Sequence, residues 1–314
     1  MNKETIKRSL FCLLAAVVWG ISFVSQRSAM EQDMGPFTFN GIRMLLGSLV
    51  LIPFIFIIRA KGEYKTFDLT KKKEYNKNTV IGGLLCGIVL CIATNLQQFG
   101  IVDMEAGKTG FITALYIVLV PIAGIFLKKK PSILLAISVP LAVAGLYLLC
   151  MVGTKFTFGI PELLVFMCAI VFTVHIFIID YFAPKADGVA MSCIQFAFVG
   201  VVSSILMFIF EDPQISLIKE CWLEIAYAGV MSCGVAYTFQ ILGQKNLNPT
   251  VASLILSLES CVSVLSGWII LNEQLSVYQI FGCVLMFIAI ILAQIPLKLK
   301  KKNKLSQDES SNNS

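Results

Sequence analysis

Ten mostly apolar stretches of close to 20 residues recur along the chain, separated by short polar breaks. The first five run Leu10 to Gln26, Phe37 to Ile58, Thr79 to Phe99, Thr109 to Leu127 and Ser132 to Val152. The second five run Ile160 to Ile179, Val189 to Phe210, Trp222 to Leu242, Thr250 to Leu271 and Tyr278 to Ile295. About 20 helical residues cross the hydrocarbon layer of a bilayer. Backbone groups in lipid must find partners within their own segment, so each stretch is predicted to be a transmembrane helix. The fold class expected is an all-α integral membrane protein of ten transmembrane helices.

Composition agrees and removes the soluble alternatives. Hydrophobic residues make up 57% of the 314 and charged residues 14%, against about 25% charged in a soluble domain; mean hydropathy is +0.83. A net charge of +6 is compatible with a nucleic-acid partner, but the cations sit in short runs between apolar segments. There they orient helices against the lipid headgroups, and no nucleic-acid partner is expected. With the N-terminus inside, twenty of the 25 Lys and Arg residues fall on the inner side; only Arg27, Lys108, Lys155 and Lys219 fall outside, and Arg43 lies within helix two. Both termini are therefore expected in the cytoplasm, in a multi-pass protein of the cell membrane. The polar tail 298–314 is expected to be disordered. The first apolar run resembles a signal peptide but lacks a small-x-small cleavage site, so it is read as helix one. The ten cysteines lie in or beside apolar segments without CxxC or metal-ligand spacing and read as apolar fillers.

The two halves resemble each other. A shift of about 153 sets LLAAVVWGISFV near Leu13 against VFMCAIVFTVHI near Val165, and Gly47 against Gly200. A shift of 143 sets ATNLQQFG against AYTFQILG, so that Gln97 falls on Gln240, Gly124 on Gly267 and Tyr116 on Glu259. One loop deletion, where the first half carries a basic insertion between helices two and three, accounts for both registers. Residues 1–153 and 154–297 thus read as two five-helix repeats. Five is odd, so the second is inserted upside down, the inverted-repeat plan of secondary transporters with a site near the midplane. The flanks agree: helix four ends in Lys128 to Lys130, and helix nine at LNEQ around Glu273.

These residues carry a family resemblance. VVWGISFV around Trp19, TGFITALYIVLVPIAGIFLKKKPS from Thr109, and NPTVASLILSLESCVSVLSGWIILNEQLSVYQIFG from Asn248 resemble the drug/metabolite transporter superfamily, specifically ten-helix permeases with two EamA domains. The resemblance implies helices one to four and six to nine around a central cavity, with five and ten peripheral. It also implies export or exchange of amino acids and related amphiphilic metabolites. The first half departs from the family's acidic helix-end motif, having lysines there, so that motif reads as structural.

Polar groups inside spans name the candidate site, since a central charge costs about 2.5 to 3.5 kcal/mol on insertion scales. Glu259, mid-way along helix nine, could hold a proton, bind a substrate amine or pair with Arg43. Arg43, with Asn40 one turn earlier, could attract a carboxylate or form that pair. His175, the only histidine, could relay protons or make a satisfied polar contact; without partners it makes no metal site. Asn95, Gln97, Gln98 and Gln240 could bind polar ligands or tie helices together. Trp19, Tyr116, Tyr237 and Trp268 could line a cavity or pack. Lys108 reads as a snorkelling lysine at the outer edge.

The candidate substrate-binding set is therefore Glu259, Arg43, Tyr116, Asn95, Gln97, Gln240, His175 and Trp19. No catalytic residue, metal or cofactor is expected. No GxxxxGK phosphate loop is present, and HExxH or a Ser with a His base is missing. The expected function is secondary transport of a small-molecule substrate by alternating access, with the bilayer as the other partner and a homodimer left open. The alternative is a membrane scaffold or lipid scramblase, which has little use for Glu259 and Arg43 at depth.

Overall fold

The computed structural model describes residues 3–128, 132–152, 159–270 and 276–295, and every regular element among them is helical. The first half holds α1 (Lys3–Glu31), α2 (Pro36–Lys61), a 3-10 turn (Glu63–Thr66), α3 (Leu69–Val102), α4 (Ala106–Ala114), α5 (Tyr116–Phe126) and α6 (Ile133–Cys150). The second holds α7 (Ile160–Phe182), α8 (Gly188–Phe210), the short α9 (Ile215–Glu220), α10 (Trp222–Ala226), a π-helical stretch (Tyr227–Tyr237), α11 (Thr238–Gln244), α12 (Pro249–Leu256), α13 (Glu259–Ile270) and α14 (Val277–Gln294). Two spans are broken: α4 and α5 form one, α12 and α13 another. The stretch from α10 to α11 forms a third composite span. Nine described helices are long and apolar enough to cross a bilayer, and Ile133–Leu149 is a shorter apolar tenth.

Local chemistry sets the ends. Pro36 and Pro249 sit in the first turns of α2 and α12, where a missing N–H costs nothing. Ser276 caps α14 in a reciprocal box with Gln279. Helix α3 starts ten positions before the predicted Thr79 because Lys71, Lys72, Lys73 and Lys77 continue the helix beyond the apolar layer.

The two halves interlock. Helices α2 and α8 pack along their lengths, as do α3 with α7 and α8, and the π stretch with α1 and α2. Both ends of the antiparallel α2–α8 pair are tied by a carboxylate. Asp187 caps α8 and accepts from Arg59 Nε at 2.9 Å. At the opposite end Glu211 accepts from the N–H groups of Phe37 and Thr38, both at 2.8 Å. A carboxylate at the start of α2 also faces the positive end of that helix dipole.

Helices α6 and α14 pair with each other at the periphery. Their crossing needs Gly145 and Gly282: a Cβ at Gly145 would meet Gly282 O at 2.8 Å, and one at Gly282 would meet Leu149 N at 2.8 Å. Gly145→Val is expected to lower stability by about 3 kcal/mol, the upper end for overpacking a close contact, and thermal unfolding in detergent measures it. An unchanged melting temperature would show that the helices can separate freely.

One expectation changes, and the places of three further residues become definite. Lys108 does not snorkel: it forms an ion pair with Glu162 at the start of α7, both side chains being nearly buried, while Glu162 also accepts from Gly159 N at 2.8 Å. Gly47 and Gly200 are both close-packed but against different partners, Cys233 and Gly229 of the π stretch for Gly47, Leu45 of α2 for Gly200. Trp268 is 49% exposed and points away from the interior. Lys129, Lys130, Lys155, Glu273 and the tail 298–314 lie outside the described residues.

Candidate functional site

Inside the bundle a narrow cavity of about 40 Å³ is lined by Trp19, Phe23 and Gln26 of α1, Arg43 of α2, Gln97 of α3, Thr113 of α4 and Tyr116 of α5. Phe172 and Ile176 of α7, Ser232 and Tyr237 of the π stretch, Gln240 of α11, Leu256 of α12 and Glu259 of α13 complete it. Six of the eight candidates meet here. The lining follows the repeat: Trp19 and Phe172 stand 153 positions apart, as do Phe23 and Ile176. Gln97 and Gln240, Thr113 and Leu256, and Tyr116 and Glu259 stand 143 apart.

The last pair sits at the two helix breaks. The break between α4 and α5 falls at Leu115, whose N–H donates to Ile112 O at 3.2 Å. The break between α12 and α13 falls at Ser257 and Leu258, and Leu258 N donates to Ile255 O at 3.2 Å. In α12 the hydroxyls of Ser253 and Ser257 donate back to Thr250 O and Leu254 O, a contact that bends helices. Tyr116 and Glu259 each begin the helix after its break, and Tyr116 Oη donates to Glu259 Oε1 at 3.0 Å. Gly20 lets α1 approach: a Cβ there would lie 2.6 Å from Glu259 O.

Arg43 and Glu259 are 3% and 4% exposed, and they do not pair. Arg43 Nε donates to Asn40 Oδ1 at 2.9 Å, and its guanidinium lies 5.1 Å from the centre of the Phe39 ring. Asn40 donates to Asn95 Oδ1 at 2.9 Å, and Asn95 donates to Ser203 Oγ at 3.2 Å. Asn95 thus belongs to a polar chain behind the cavity that orients Arg43 from α3 and α8. His175 is also behind the wall, with Nε2 3.1 Å from Gln195 Oε1 and its ring edge-on to Tyr237.

Several cavity polar atoms have no protein partner among the described residues: Trp19 Nε1, Gln240 Oε1 and Gln26 Oε1. Buried polar atoms are nearly always satisfied, so these are what a bound solute or water completes. Gln97 is engaged, donating to Thr113 Oγ1 at 3.1 Å. Trp19 and Tyr237 pack edge to face at 4.6 Å. The arrangement sets a cation and a carboxyl apart on one wall among aromatic rings. Among the described residues no group of three or more metal-ligating side chains exists.

Comparison with known sequences decides the family. The sequence model described as the EamA-like transporter family matches residues 7–151 and again 159–294. The chain belongs to the EamA-like transporter family. It is similar to an uncharacterized transporter of Archaeoglobus fulgidus, 26% identical over 93% of this chain and 88% of that protein. It is also similar to the uncharacterized transporter YoaV of Bacillus subtilis, 23% identical over 94% and 99% of the two chains. A solved crystal structure shares the fold, with a TM-score of 0.71 and 16% identity, covering 91% of this chain and 96% of the other. As an EamA-like transporter, the protein is no enzyme. Phe23, Phe172, Ile176 and Leu256 join the lining unannounced by their residue types, and Gln26, Thr113 and Ser232 join it as polar groups that the sequence reading did not single out.

Proposed function

We propose that this EamA-like transporter carries amino acids or related amphiphilic metabolites across the cell membrane, as an exporter or exchanger, by alternating access of two inverted repeats, 1–153 and 154–297. The observation that carries the reading is the cavity itself. An unpaired guanidinium and a carboxyl sit apart on its wall, among aromatic rings, and residues from both halves recur there under the repeat shifts. A solute with a carboxylate for Arg43, an amine for Glu259 and an apolar body for Trp19, Phe172 and Tyr237 satisfies all three. At about 40 Å³ the cavity holds roughly three waters, so a metabolite enters only when the halves part. Rocking of one repeat against the other supplies that opening. Comparing metabolites in the medium of overexpressing and deleted cells identifies the solute. Liposomes of purified protein then test uptake against lipid flipping, and flipping without solute uptake would establish the scramblase alternative instead.

The same reading places the basic face, with Arg59, Lys71 and Lys245, in the cytoplasm, and the acidic face around Glu105, Glu211 and Glu220 outside. Single cysteines at Lys65 and Lys219 are expected to differ: an impermeant reagent on intact cells labels position 219 and spares position 65. Ready labelling at 65 would reverse the orientation.

A further inference from the structure

A second cleft opens on the basic face, remote from the central cavity. Its volume is about 520 Å³, and it lies between the end of α2, the 3-10 turn, the start of α3 and the α7–α8 connection. The charged side chains facing it are Arg59, Lys71, Glu74, Lys185, Asp187 and Lys245. Asp187 is already committed, to Arg59 and to the cap of α8. Among the described residues no carboxylate pairs with Lys71, Lys185 or Lys245. Three ammonium groups without a carboxylate partner therefore line the cleft beside one remaining carboxylate, Glu74, Lys71 lying over the Phe67 ring and Lys185 Nζ 3.5 Å from the centre of the Tyr181 ring.

The floor is aromatic. Tyr64, Phe67 and Tyr75 contact one another, with Phe67 and Tyr75 edge to face at 5.4 Å. Lys71 Nζ sits 4.1 Å from the centre of the Phe67 ring, and Arg59 lies 5.1 Å from that of Tyr64. Rings held in this way keep long cationic side chains gathered at one place instead of dispersed in solvent. The segment is also the insertion that the second half lacks, so it serves something the repeated transport core does not need.

Depth narrows the ligand. Helix α3 extends from Leu69 to about Thr79 beyond the apolar layer, roughly 15 Å of helix. The headgroup layer beyond the hydrocarbon is about 5 to 7 Å thick on each side, whereas the α3 lining runs from Asn78, beside the apolar layer, to Lys71, roughly 12 Å beyond it, so the cleft starts among lipid phosphates and opens past them to the water. We propose that this cleft is a binding site for a phosphate-bearing anion, with Lys71, Lys185 and Lys245 as its ligands and an anionic lipid headgroup or a soluble phosphate as the source. The site is independent of what the central cavity carries.

The test is calorimetric titration of the purified full chain in neutral detergent with three probes: dihexanoyl phosphatidylglycerol, dihexanoyl phosphatidylcholine and inorganic phosphate. The expected result is that phosphatidylglycerol binds at least tenfold more tightly than phosphatidylcholine. Removing a lysine near the surface should weaken it about fivefold, and K71A/K185A/K245A together about 100-fold. Lys71→Glu serves as a second, single-site variant, and circular dichroism confirms folding. K3A/K7A, on the same face but outside the cleft, should bind as wild type does. Inorganic phosphate matching phosphatidylglycerol assigns the site to soluble phosphates, and phosphate more than tenfold weaker assigns it to lipid. Equal affinity for the two lipids, wild-type affinity in both cleft variants, or an equal loss in K3A/K7A would each overturn the proposal.

Discussion

Glu259→Gln, reconstituted into liposomes in the same amount as wild type, is expected to fold normally and to lose transport about 10- to 100-fold. The amide keeps the shape of the carboxyl and can still accept from Tyr116, whose hydroxyl now makes the 3.0 Å bond. What it loses is the capacity to carry charge or a proton. A hydrogen bond involving a charged group contributes about 1.5 to 3 kcal/mol, and each 1.4 kcal/mol is a factor of ten. A purely structural Glu259 predicts a nearly silent change, because an interhelix hydrogen bond in a membrane averages about 0.6 kcal/mol. Measuring across pH 5 to 8 separates two uses of the carboxyl. Proton exchange makes wild-type transport vary with pH while the Gln variant stays flat, whereas amine binding alone raises the apparent KM of the variant at every pH. Wild-type transport by a folded Glu259→Gln protein at all pH values would reduce Glu259 to scaffolding.

Tyr116→Phe is the companion measurement. It removes the donor to Glu259 and leaves the ring, so its loss of transport should be smaller than that of Glu259→Gln. A larger loss would place the function on the phenol.

The position of Glu259 and Tyr116 on the cavity wall was legible in the sequence for a physical reason. A carboxyl inside an apolar run cannot be hidden by composition, and the repeat shift set Tyr116 on the position equivalent to Glu259; the partner the sequence suggested for the carboxyl was Arg43, whereas the structure joins the two equivalent positions by a hydrogen bond. The apolar lining was less legible. Phe172 and Ile176 stand in helices whose lipid faces are equally apolar, so hydrophobic periodicity cannot tell a cavity wall from a lipid contact. The repeat offered the missing signal, since Phe172 answers Trp19 by the 153 shift. Lys108 failed differently: its partner Glu162 is 54 positions away across the repeat boundary, and no local rule links them. The helix breaks at Leu115 and Leu258 carry neither glycine nor proline, and the serine back-bonds that bend α12 depend on rotamers that a sequence does not display. Asn95 was legible as a polar group requiring a partner, but its place behind Arg43 arises from how α2, α3 and α8 meet.

The other large effect is expected at Arg43, and it is one of selectivity. Its guanidinium is aimed by the Asn40–Asn95–Ser203 chain, stacked on Phe39, and free of any carboxylate among the described residues. A buried cation without a counter-ion is costly in a bilayer, and a substrate carboxylate is the partner that would repay it during transport. Wild type should therefore favour a substrate over its decarboxylated amine by about 10- to 100-fold, the range for charge-assisted hydrogen bonds. Arg43→Gln should erase that preference, mostly by lowering transport of the carboxylate form, while Arg43→Lys should keep part of it because charge survives without the forked geometry. A structural Arg43 makes the opposite forecast: Arg43→Gln lowers the melting temperature, as the polar chain loses its end, and leaves the ratio of the two substrates untouched. The ratio is thus the informative readout, because misfolding lowers both rates together and only a lost carboxylate contact moves one against the other.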